Sequence, residues 1–559
     1  MKRFFLLCAV VSVLACSPAE EPADLVLMGG RIVTMDDSNP EATALAARDH
    51  ELVAVGSEKE IDRFIGPDTE VIDLGGAVAV PGLIDAHAHF LSIGRARMQL
   101  NLNGVGGFDE IVAMVEAAVA EAEPGQWIFG RGWHQEKWKK PPEKSVSGLP
   151  YHDDLSAVSP DNPVMLTHVS GHASMVNAVA LELAGIDDRT PDPPGGEIVR
   201  DARGRAIGVL RETAANLVAD YFDSEWDEAT VRRMAELADA ECLSKGLTSF
   251  HDAGTGFRNV EVLKSLAESG DLGIRLWVML SENNESLAEN LDGYGVYRVG
   301  DAHLTVGGIK RLVDGALGSH GAWLLEPYTD LPESTGLNTY APEDLRETAR
   351  LAAENGLQLC SHAIGDRANR ETLDVYEETI RSRPDGRDLR WRVEHAQHLD
   401  PADLPRFAEL GVIAAMQGVH CTSDGPWVPV RLGEDRAREG AYMWRDLLDS
   451  GAVIANGTDA PVEDVDPLPS YYASITRRLP DGSAFYPGQV MTRMEALRSY
   501  TLDAAYAAFE EDIKGSLEPG KLADITVFSR DILEIPAEEI LDTRVLYTIV
   551  GGEVQYRAN

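Results

Sequence analysis

The chain has 559 residues, of which 44% are hydrophobic, so it can bury a large core and is not a disordered protein. Its length allows one large barrel and a smaller domain. The 92 acidic residues outnumber the 50 basic ones, and the net charge of −42 argues against nucleic acid or an anionic membrane surface as a partner. We interpret the acidity as a means of solubility, although a salt-rich habitat would also explain it.

The first residues have the layout of an export signal. Lys2 and Arg3 precede an uncharged apolar run, residues 4–15, that is too short to span a bilayer. The four residues that end at Cys16 resemble a bacterial lipobox. We therefore expect a lipoprotein-type signal peptide (residues 1–16) and a tether (17–23), with the protein anchored by lipid in the periplasm or at the outer membrane. Cleavage without lipidation, which would give a soluble periplasmic protein, is the alternative.

Both ends of the mature chain are rich in short β-forming runs punctuated by glycine. We predict that residues 24–80 and 511–559 together form one small β-sandwich domain. The runs are residues 24–28, 31–34, 51–55, 523–528, 545–549 and 553–556.

The middle of the chain, residues 81–510, contains eight apolar runs separated in most cases by helical segments such as Pro342 to Asn355 and Pro401 to Leu410. Runs of this kind are typical of parallel strands buried on both faces. The pattern predicts an α/β fold, a (β/α)8 TIM barrel, whose chemistry lies at the C-terminal ends of the strands. The eight runs finish at or next to His89, Asp252, Met279, Lys310, His362, His395, Gln417 and Asp459.

A long insertion, about residues 95–240, separates the first two barrel strands. It contains a predicted hairpin with one strand at Gly196–Arg200 and the other from Ala206 to Leu210. Because it is too long for a plain loop, we expect it to fold as a lid over the barrel mouth.

His87 and His89 end the first barrel strand. Side chains two apart in a strand point the same way, so both imidazoles can hold one metal ion. Alone, this pair is a weak signal, because two ordinary barrel histidines would look the same.

Further ligand types at the same rim strengthen the metal hypothesis. His362, His395 and Asp459 each end a later strand, and histidine with carboxylate is the donor set that zinc or a related divalent ion prefers. We expect one or two ions. The three cysteines outside the signal form no CxxC pattern and no evident pairing, so we expect neither a cysteine zinc site nor a disulfide framework.

Lys310 ends the fourth barrel strand. Burial lowers the pKa of a lysine, and the neutral amine can then take up carbon dioxide as an anionic carbamate that bridges two metals. The alternative is a structural salt bridge between Lys310 and Asp314.

This ordered set of residues resembles the amidohydrolase superfamily. The stretches from Lys310 to Leu325, from Ser361 to Arg367 and from Arg392 to Gln397 are similar to amidohydrolase family 3, which includes N-substituted formamide deformylases. His320 stands where that branch often has an arginine, which weakens any inference of a substrate-anion contact there. The resemblance implies six metal ligands, with Asp459 also the general base: His87, His89, Lys310, His362, His395 and Asp459.

Four residues are candidates for substrate binding. His172 and Asn177 resemble the insertion motif of the family, and Trp133 and Trp323 are aromatic side chains on loops. Helix capping by Asn177 and packing by the tryptophans are the alternatives. His251, at the end of the second strand, is expected to support the ligands or to pack rather than to bind metal.

The constellation predicts a metal-dependent hydrolase, and the resemblance implies that it cleaves a non-peptide C–N bond of a small molecule, such as an amide, formamide, carbamate or cyclic amide. An esterase or lactonase is the closest alternative, and an enclosed barrel disfavours long peptides. A lipid-anchored binding protein without catalysis would be expected to show a broken ligand set, whereas all six positions are filled. Aromatic residues in the insertion and loops predict a mostly apolar pocket: Trp127, Trp133, Trp138, Trp323 and Tyr328.

Overall fold

The structure, a computed structural model, describes residues 21–135, 138–168, 173–193, 196–219, 227–291, 294, 297–383, 386 and 388–558. The predicted signal peptide, the first part of the predicted tether and His172 lie outside the described residues.

Eight parallel strands form the barrel, which confirms the predicted fold. Each strand pairs with the next along the chain. The backbone N–H of Asp459, just after the eighth strand, donates to the carbonyl of His87 on the first (2.8 Å) and so links the two ends of the sheet. The strands are Leu83–Ala88, Leu247–Thr255, Arg275–Leu280, Leu304–Leu312, Gln358–Ala363, Arg392–His395, Ile413–Gln417 and Ile454–Gly457.

The helices around the barrel begin and end at sequence signals. The helix Pro342–Asn355 has proline in its first turn, where the missing N–H costs nothing, followed by acidic Glu343 and Asp344, which suit the positive end of the helix dipole. It ends at Gly356, whose φ of 71° is left-handed. The helices that follow or cover the barrel strands are Phe90–Arg97, Glu228–Ser244, Phe257–Ser269, Asn284–Asn290, Val299–Ala302, Pro342–Asn355, Asp366–Ser382, Leu404–Leu410, Gly418–Asp424, Val428–Leu432, Glu434–Gly440, Trp444–Asp449, Pro467–Thr476, Arg493–Ser499 and Leu502–Ala507.

Strands from both ends of the chain form a second, eight-stranded sheet. Its first strand spans two of the predicted runs, because a bulge between Met28 and Ile32 carries the chain through Gly29, whose φ is 78°. The buried Arg275 of the barrel donates to Asp524 of this domain (2.8 Å), which ties the two together. The strands are Leu25–Val33, Glu41–Arg48, Glu51–Gly56, Glu70–Asp73, Val78–Pro81, Ile525–Phe528, Val545–Val550 and Glu553–Arg557, with a short helix Glu58–Ile61.

The insertion has its own six-stranded sheet and apolar core. The predicted hairpin is confirmed, since Gly196–Arg200 pairs antiparallel with Ala206–Glu212. A cavity of about 310 Å³ lies between this unit, at Arg131, and the loop after the last barrel strand, at Val462. The other strands are Leu100–Asn101, Ile128–Trp133, Val164–His168 and Ala173–Val176, a separate hairpin joins Ser145–Val146 to Leu149–Pro150, and the helices are Phe108–Glu121, Asp153–Val158, Ala178–Leu183 and Asn216–Ala219.

Cys242, Cys360 and Cys421 are buried, and their thiols are free. Of the helices in the described part of the chain, none combines the length and the apolar character needed to cross a bilayer.

Candidate active site

The C-terminal ends of five barrel strands converge on one point. Oxygen Oδ1 of Asp459 lies 3.3 Å from Nε2 of His89 and 3.7 Å from Nε2 of His87. The ligand atoms of these three residues all lie within 4.8 Å of one another. The histidine pair of the first strand therefore meets the carboxylate that follows the eighth strand, across the seam of the barrel.

His362 and His395, from the fifth and sixth strands, complete a ring of imidazoles. Their ring centroids are 4.4 Å apart, and those of His395 and His87 are 4.6 Å apart. The buried Nε2 of His362 has no hydrogen-bond partner among the described residues. Leaving a buried polar atom without a hydrogen-bond partner costs free energy. Such an atom is expected where a bound ligand supplies the missing partner.

The protonation states suit metal binding. Burial lowers the pKa of His87, His362 and His395 well below the ordinary value, so their imidazoles are neutral at physiological pH and keep a lone pair. Burial alone would raise the pKa of Asp459, but the hydrogen bond with His89 holds it well below the usual value. The cluster thus offers neutral nitrogens and a charged oxygen, the donor set of zinc and related divalent ions.

Lys310 is buried beside these side chains, with Nζ 3.4 Å from Nε2 of His87. Burial lowers its pKa, and no carboxylate of the described residues lies within 4 Å of its amine. Asp314, the alternative partner, instead accepts backbone N–H groups from Trp323, Ile364 and Gly365 at 2.8 to 3.0 Å. The structural salt bridge is therefore not formed, and the amine faces the histidines.

Two polar side chains fix the orientation of the rings. Nδ1 of His87 contacts the carboxylate of Glu394, and Nδ1 of His395 lies 2.7 Å from Oε1 of Gln417. Both partner atoms are acceptors, so each ring carries its hydrogen on Nδ1 and presents the lone pair of Nε2 to the site.

The sequence reasoning missed His420 and Glu394. His420 lies in the helix Gly418–Asp424, and its ligand atom falls within 4.8 Å of those of His395 and Asp459. The signal was present, because His420 follows the end of the seventh strand by three residues and so lies at the catalytic rim. Glu394 was hidden by its place inside a buried strand.

A cavity of about 400 Å³ opens over the cluster, the size of a pocket for a small molecule. Leu317, Trp427 and Val462 give it apolar walls, while Asp424 and Glu463 add acidic groups. Apart from Lys310, no lysine or arginine of the described residues lines it.

The three predicted substrate-binding residues that the structure describes, Trp133, Asn177 and Trp323, do not line this cavity. Trp133 is buried in the core of the insertion, where its indole N–H donates to the carbonyl of Leu166 (2.8 Å). Asn177 is also buried and caps the helix Ala178–Leu183, and Trp323 packs under the guanidinium of Arg367. Packing and capping, the alternatives considered for these positions, account for all three.

The five aromatic residues from which an apolar pocket was expected do not line the cavity, and the large aromatic side chain in its described wall is Trp427. Trp127 stacks on Phe129, Trp138 packs in the insertion core, and Tyr328 is buried with its hydroxyl on a backbone carbonyl. Loop position alone did not reveal which aromatic side chains face the barrel mouth.

His251 does not join the cluster. Its Nδ1 accepts a hydrogen bond from Arg392 (3.0 Å), and the same guanidinium donates to Glu394 (2.7 Å). His251 thus contacts Arg392, which in turn holds Glu394 against His87, in line with the expected supporting role.

The amidohydrolase family model matches residues 70–556. The chain is 35% identical over 556 residues to Protein LONG AFTER FAR-RED 3 of Arabidopsis thaliana, covering 96% of this chain and 92% of the relative. It is 28% identical over 544 residues to the N-substituted formamide deformylase of Arthrobacter pascens, covering 95% and 98%.

A solved structure is similar as well. An uncharacterized metal-dependent hydrolase from Pyrococcus furiosus aligns with a TM-score of 0.76 and 28% identity, over 91% of this chain and all of that one. Together with the barrel and its cluster of histidines, these matches are sufficient to assign the protein to a family. The chain belongs to the amidohydrolase family and is a metal-dependent hydrolase.

Proposed function

We propose that this hydrolase cleaves a non-peptide C–N bond of a small molecule, an amide, formamide, carbamate or cyclic amide, with Asp459 as the general base. The observation that carries the proposal is the meeting of His87, His89, His362, His395 and Asp459 in one cluster, which lies under a cavity at the barrel mouth. The similarity to a protein named N-substituted formamide deformylase supports the choice of an amide-like bond.

The histidines and Asp459 would hold one or two divalent ions, and Zn²⁺ fits the nitrogen and oxygen donors. Carboxylation of Lys310 would add two further oxygens, and the depressed pKa of its amine favours that reaction because only the neutral form attacks carbon dioxide. A divalent ion there would acidify water and polarise a carbonyl group.

Asp459 is positioned for the proton transfers. Its Oδ1 faces His87 and His89, while its Oδ2 faces His420 at 3.7 Å, so the carboxylate spans the floor of the cavity. In this position it can take a proton from water and deliver it to the leaving nitrogen, as a general base that becomes a general acid.

The cavity limits the substrate. Its volume suits a small molecule rather than a polypeptide, and the walls formed by Leu317, Trp427 and Val462 favour an apolar group next to the scissile bond. Asp424 and Glu463 disfavour anionic substrates such as phosphoesters, because like charges repel across a confined space.

The test is a panel of N-benzylformamide-like amides, acyl-amino acids, aryl esters, lactones and phosphotriesters, compared by kcat/KM on metal-loaded protein. We expect neutral amides with an aromatic or alkyl group to lead. If esters, lactones or phosphotriesters lead by tenfold, which equals about 1.4 kcal/mol of transition-state preference, the amide assignment is wrong.

A further inference from the structure

His420 differs from the other histidines of the site in the structural element that carries it. It lies on the helix Gly418–Asp424 that follows the seventh strand, rather than on a strand. Its side chain is buried and lines the cavity. Its Nε2 has no hydrogen-bond partner among the described residues and stands 3.7 Å from Oδ2 of Asp459.

Distance alone allows His420 to be a metal ligand, because its nitrogen lies within 4.8 Å of the ligand atoms of His395 and Asp459. The imidazole can fill that role only if Nε2 carries a lone pair. The partner of the other ring nitrogen decides this, since a neutral imidazole has one donor and one acceptor.

His395 has the tautomer of a ligand. Its Nδ1 faces Oε1 of Gln417, and the orientation of that amide is fixed because its Nε2 donates to the carbonyl of Ala415 (3.2 Å). The hydrogen therefore sits on Nδ1 and the lone pair on Nε2.

His420 has the opposite arrangement. Its Nδ1 lies 3.1 Å from Nε2 of Gln397, an amide nitrogen that can only donate. Nδ1 is therefore the acceptor, and the hydrogen sits on Nε2, which faces the cavity.

We propose that His420 is not a metal ligand but a catalytic hydrogen-bond donor, whose Nε2–H binds the carbonyl oxygen of the substrate as negative charge develops on it. This rests on the proposed amide hydrolysis. Because the N–H is held in place before reaction, in a site that excludes bulk water, it stabilises the transition state more than the ground state. Gln397 is the positioning residue that sets the tautomer.

The experiment compares four variants of the metal-loaded enzyme. His420→Phe removes the donor and keeps a planar ring. Gln397→Glu places an acceptor against Nδ1, which in the neutral imidazole moves the hydrogen from Nε2 to Nδ1, so kcat is compared at the alkaline end of the pH profile, where an imidazolium has lost its proton. Gln397→Met removes the amide donor without putting an acceptor in its place. His395→Phe is the matched variant that removes a proposed metal ligand. Metal content is measured by elemental analysis after purification without chelator, and kcat and KM are measured with the best amide of the panel.

We expect His420→Phe and Gln397→Glu to retain the wild-type metal content. Both should lose about 100-fold in kcat with little change in KM, the usual effect of removing one oxyanion donor. Gln397→Met should lose less than Gln397→Glu, because its His420 can still adopt the donor tautomer. His395→Phe should lose metal.

Loss of metal in His420→Phe to the level of His395→Phe would overturn the proposal, as would unchanged kcat in both His420→Phe and Gln397→Glu. If His420→Phe does not fold, the Gln397 pair decides, since Gln397→Glu as active as Gln397→Met would also overturn it. Failure of the amide assignment can be distinguished from failure of this proposal. If the amide assignment is wrong, the wild-type enzyme prefers another substrate class, but the metal contents of the variants still show whether His420 is a ligand.

Discussion

The carboxylate of Glu394, on the sixth barrel strand, contacts Nδ1 of His87 on the first strand. Arg392 donates to Glu394 from Nε (2.7 Å) and also hydrogen-bonds to the carbonyl of Ala86, so the carboxylate cannot turn away. Through this chain one buried arginine fixes the orientation of His87 and directs its Nε2 into the site.

Glu394→Gln should weaken metal binding about 10-fold to 100-fold, because partners of this kind orient a metal-binding histidine and raise its basicity. The measurement is metal affinity by competition with a coloured chelator. A matched control is Glu510→Gln, which removes another buried glutamate at the opposite end of the barrel, where it pairs with Lys514 (2.6 Å). Both variants should lose stability, but metal affinity should fall only in Glu394→Gln. Equal affinities would show that Glu394 does not act on the metal site.

Lys310→Ala should lower the metal content and recover part of it with added acetate or propionate, since a short carboxylate can replace the oxygens of a carbamate. Lys310→Arg should not recover, because a guanidinium neither takes up carbon dioxide nor binds metal. Metal analysis with and without the acid tests both variants. If Lys310→Arg holds as much metal as wild type, Lys310 does not act as a ligand.

Much of the fold is predictable because buried parallel strands are nearly continuous apolar runs. All eight barrel strands end within three residues of the ends of the apolar runs, and the helix Pro342–Asn355 matches its predicted bounds. The helix predicted from Pro401 begins instead at Leu404, because residues 401–403 form a turn. Strands such as Glu41–Arg48, alternating and rich in alanine, gave no clear signal.

The site was only partly predictable, for a physical reason. The C-terminal ends of all the strands of a barrel lie at the same rim. His362 and His395, which both end strands, could therefore be expected from the sequence alone to lie close together. Which loop residues face the mouth depends on backbone turns that periodicity does not encode. Trp133 was thus expected near substrate but lies in the insertion core, whereas Trp427 and His420 line the cavity.

Asp459→Asn should keep the fold and most of the metal but lose about 100-fold or more in kcat, the usual contribution of a general base. The amide keeps the shape of the side chain and an oxygen, while it cannot accept the proton. Metal content and kcat are measured on the same sample, with Asp424→Asn as a control for removal of another carboxylate that lines the cavity. Full activity in Asp459→Asn would remove this residue from the mechanism.

His398 should make folding stability depend on pH. It is buried against Tyr442 and neither ring nitrogen has a hydrogen-bond partner among the described residues, and burial lowers its pKa to about 3. Between about pH 3 and pH 6.5 this histidine is protonated in the unfolded chain, where its pKa is 6.5, but not in the folded chain. Its contribution is therefore complete above about pH 6.5 and is lost as the pH falls, by about 2 kcal/mol from pH 7 to pH 5.

The measurement is the free energy of unfolding in urea at pH 5, 6 and 7, for wild type and for His398→Leu. Leucine fills a similar volume and cannot take up a proton, so the difference between the two proteins should change by about 2 kcal/mol over this range, with the variant relatively more stable at pH 5. Titration of the other histidines and any loss of metal in acid affect both proteins alike and cancel in that difference. A difference that stays constant with pH would mean that His398 has the same pKa in the folded and unfolded chains, and that its burial is not a source of acid sensitivity.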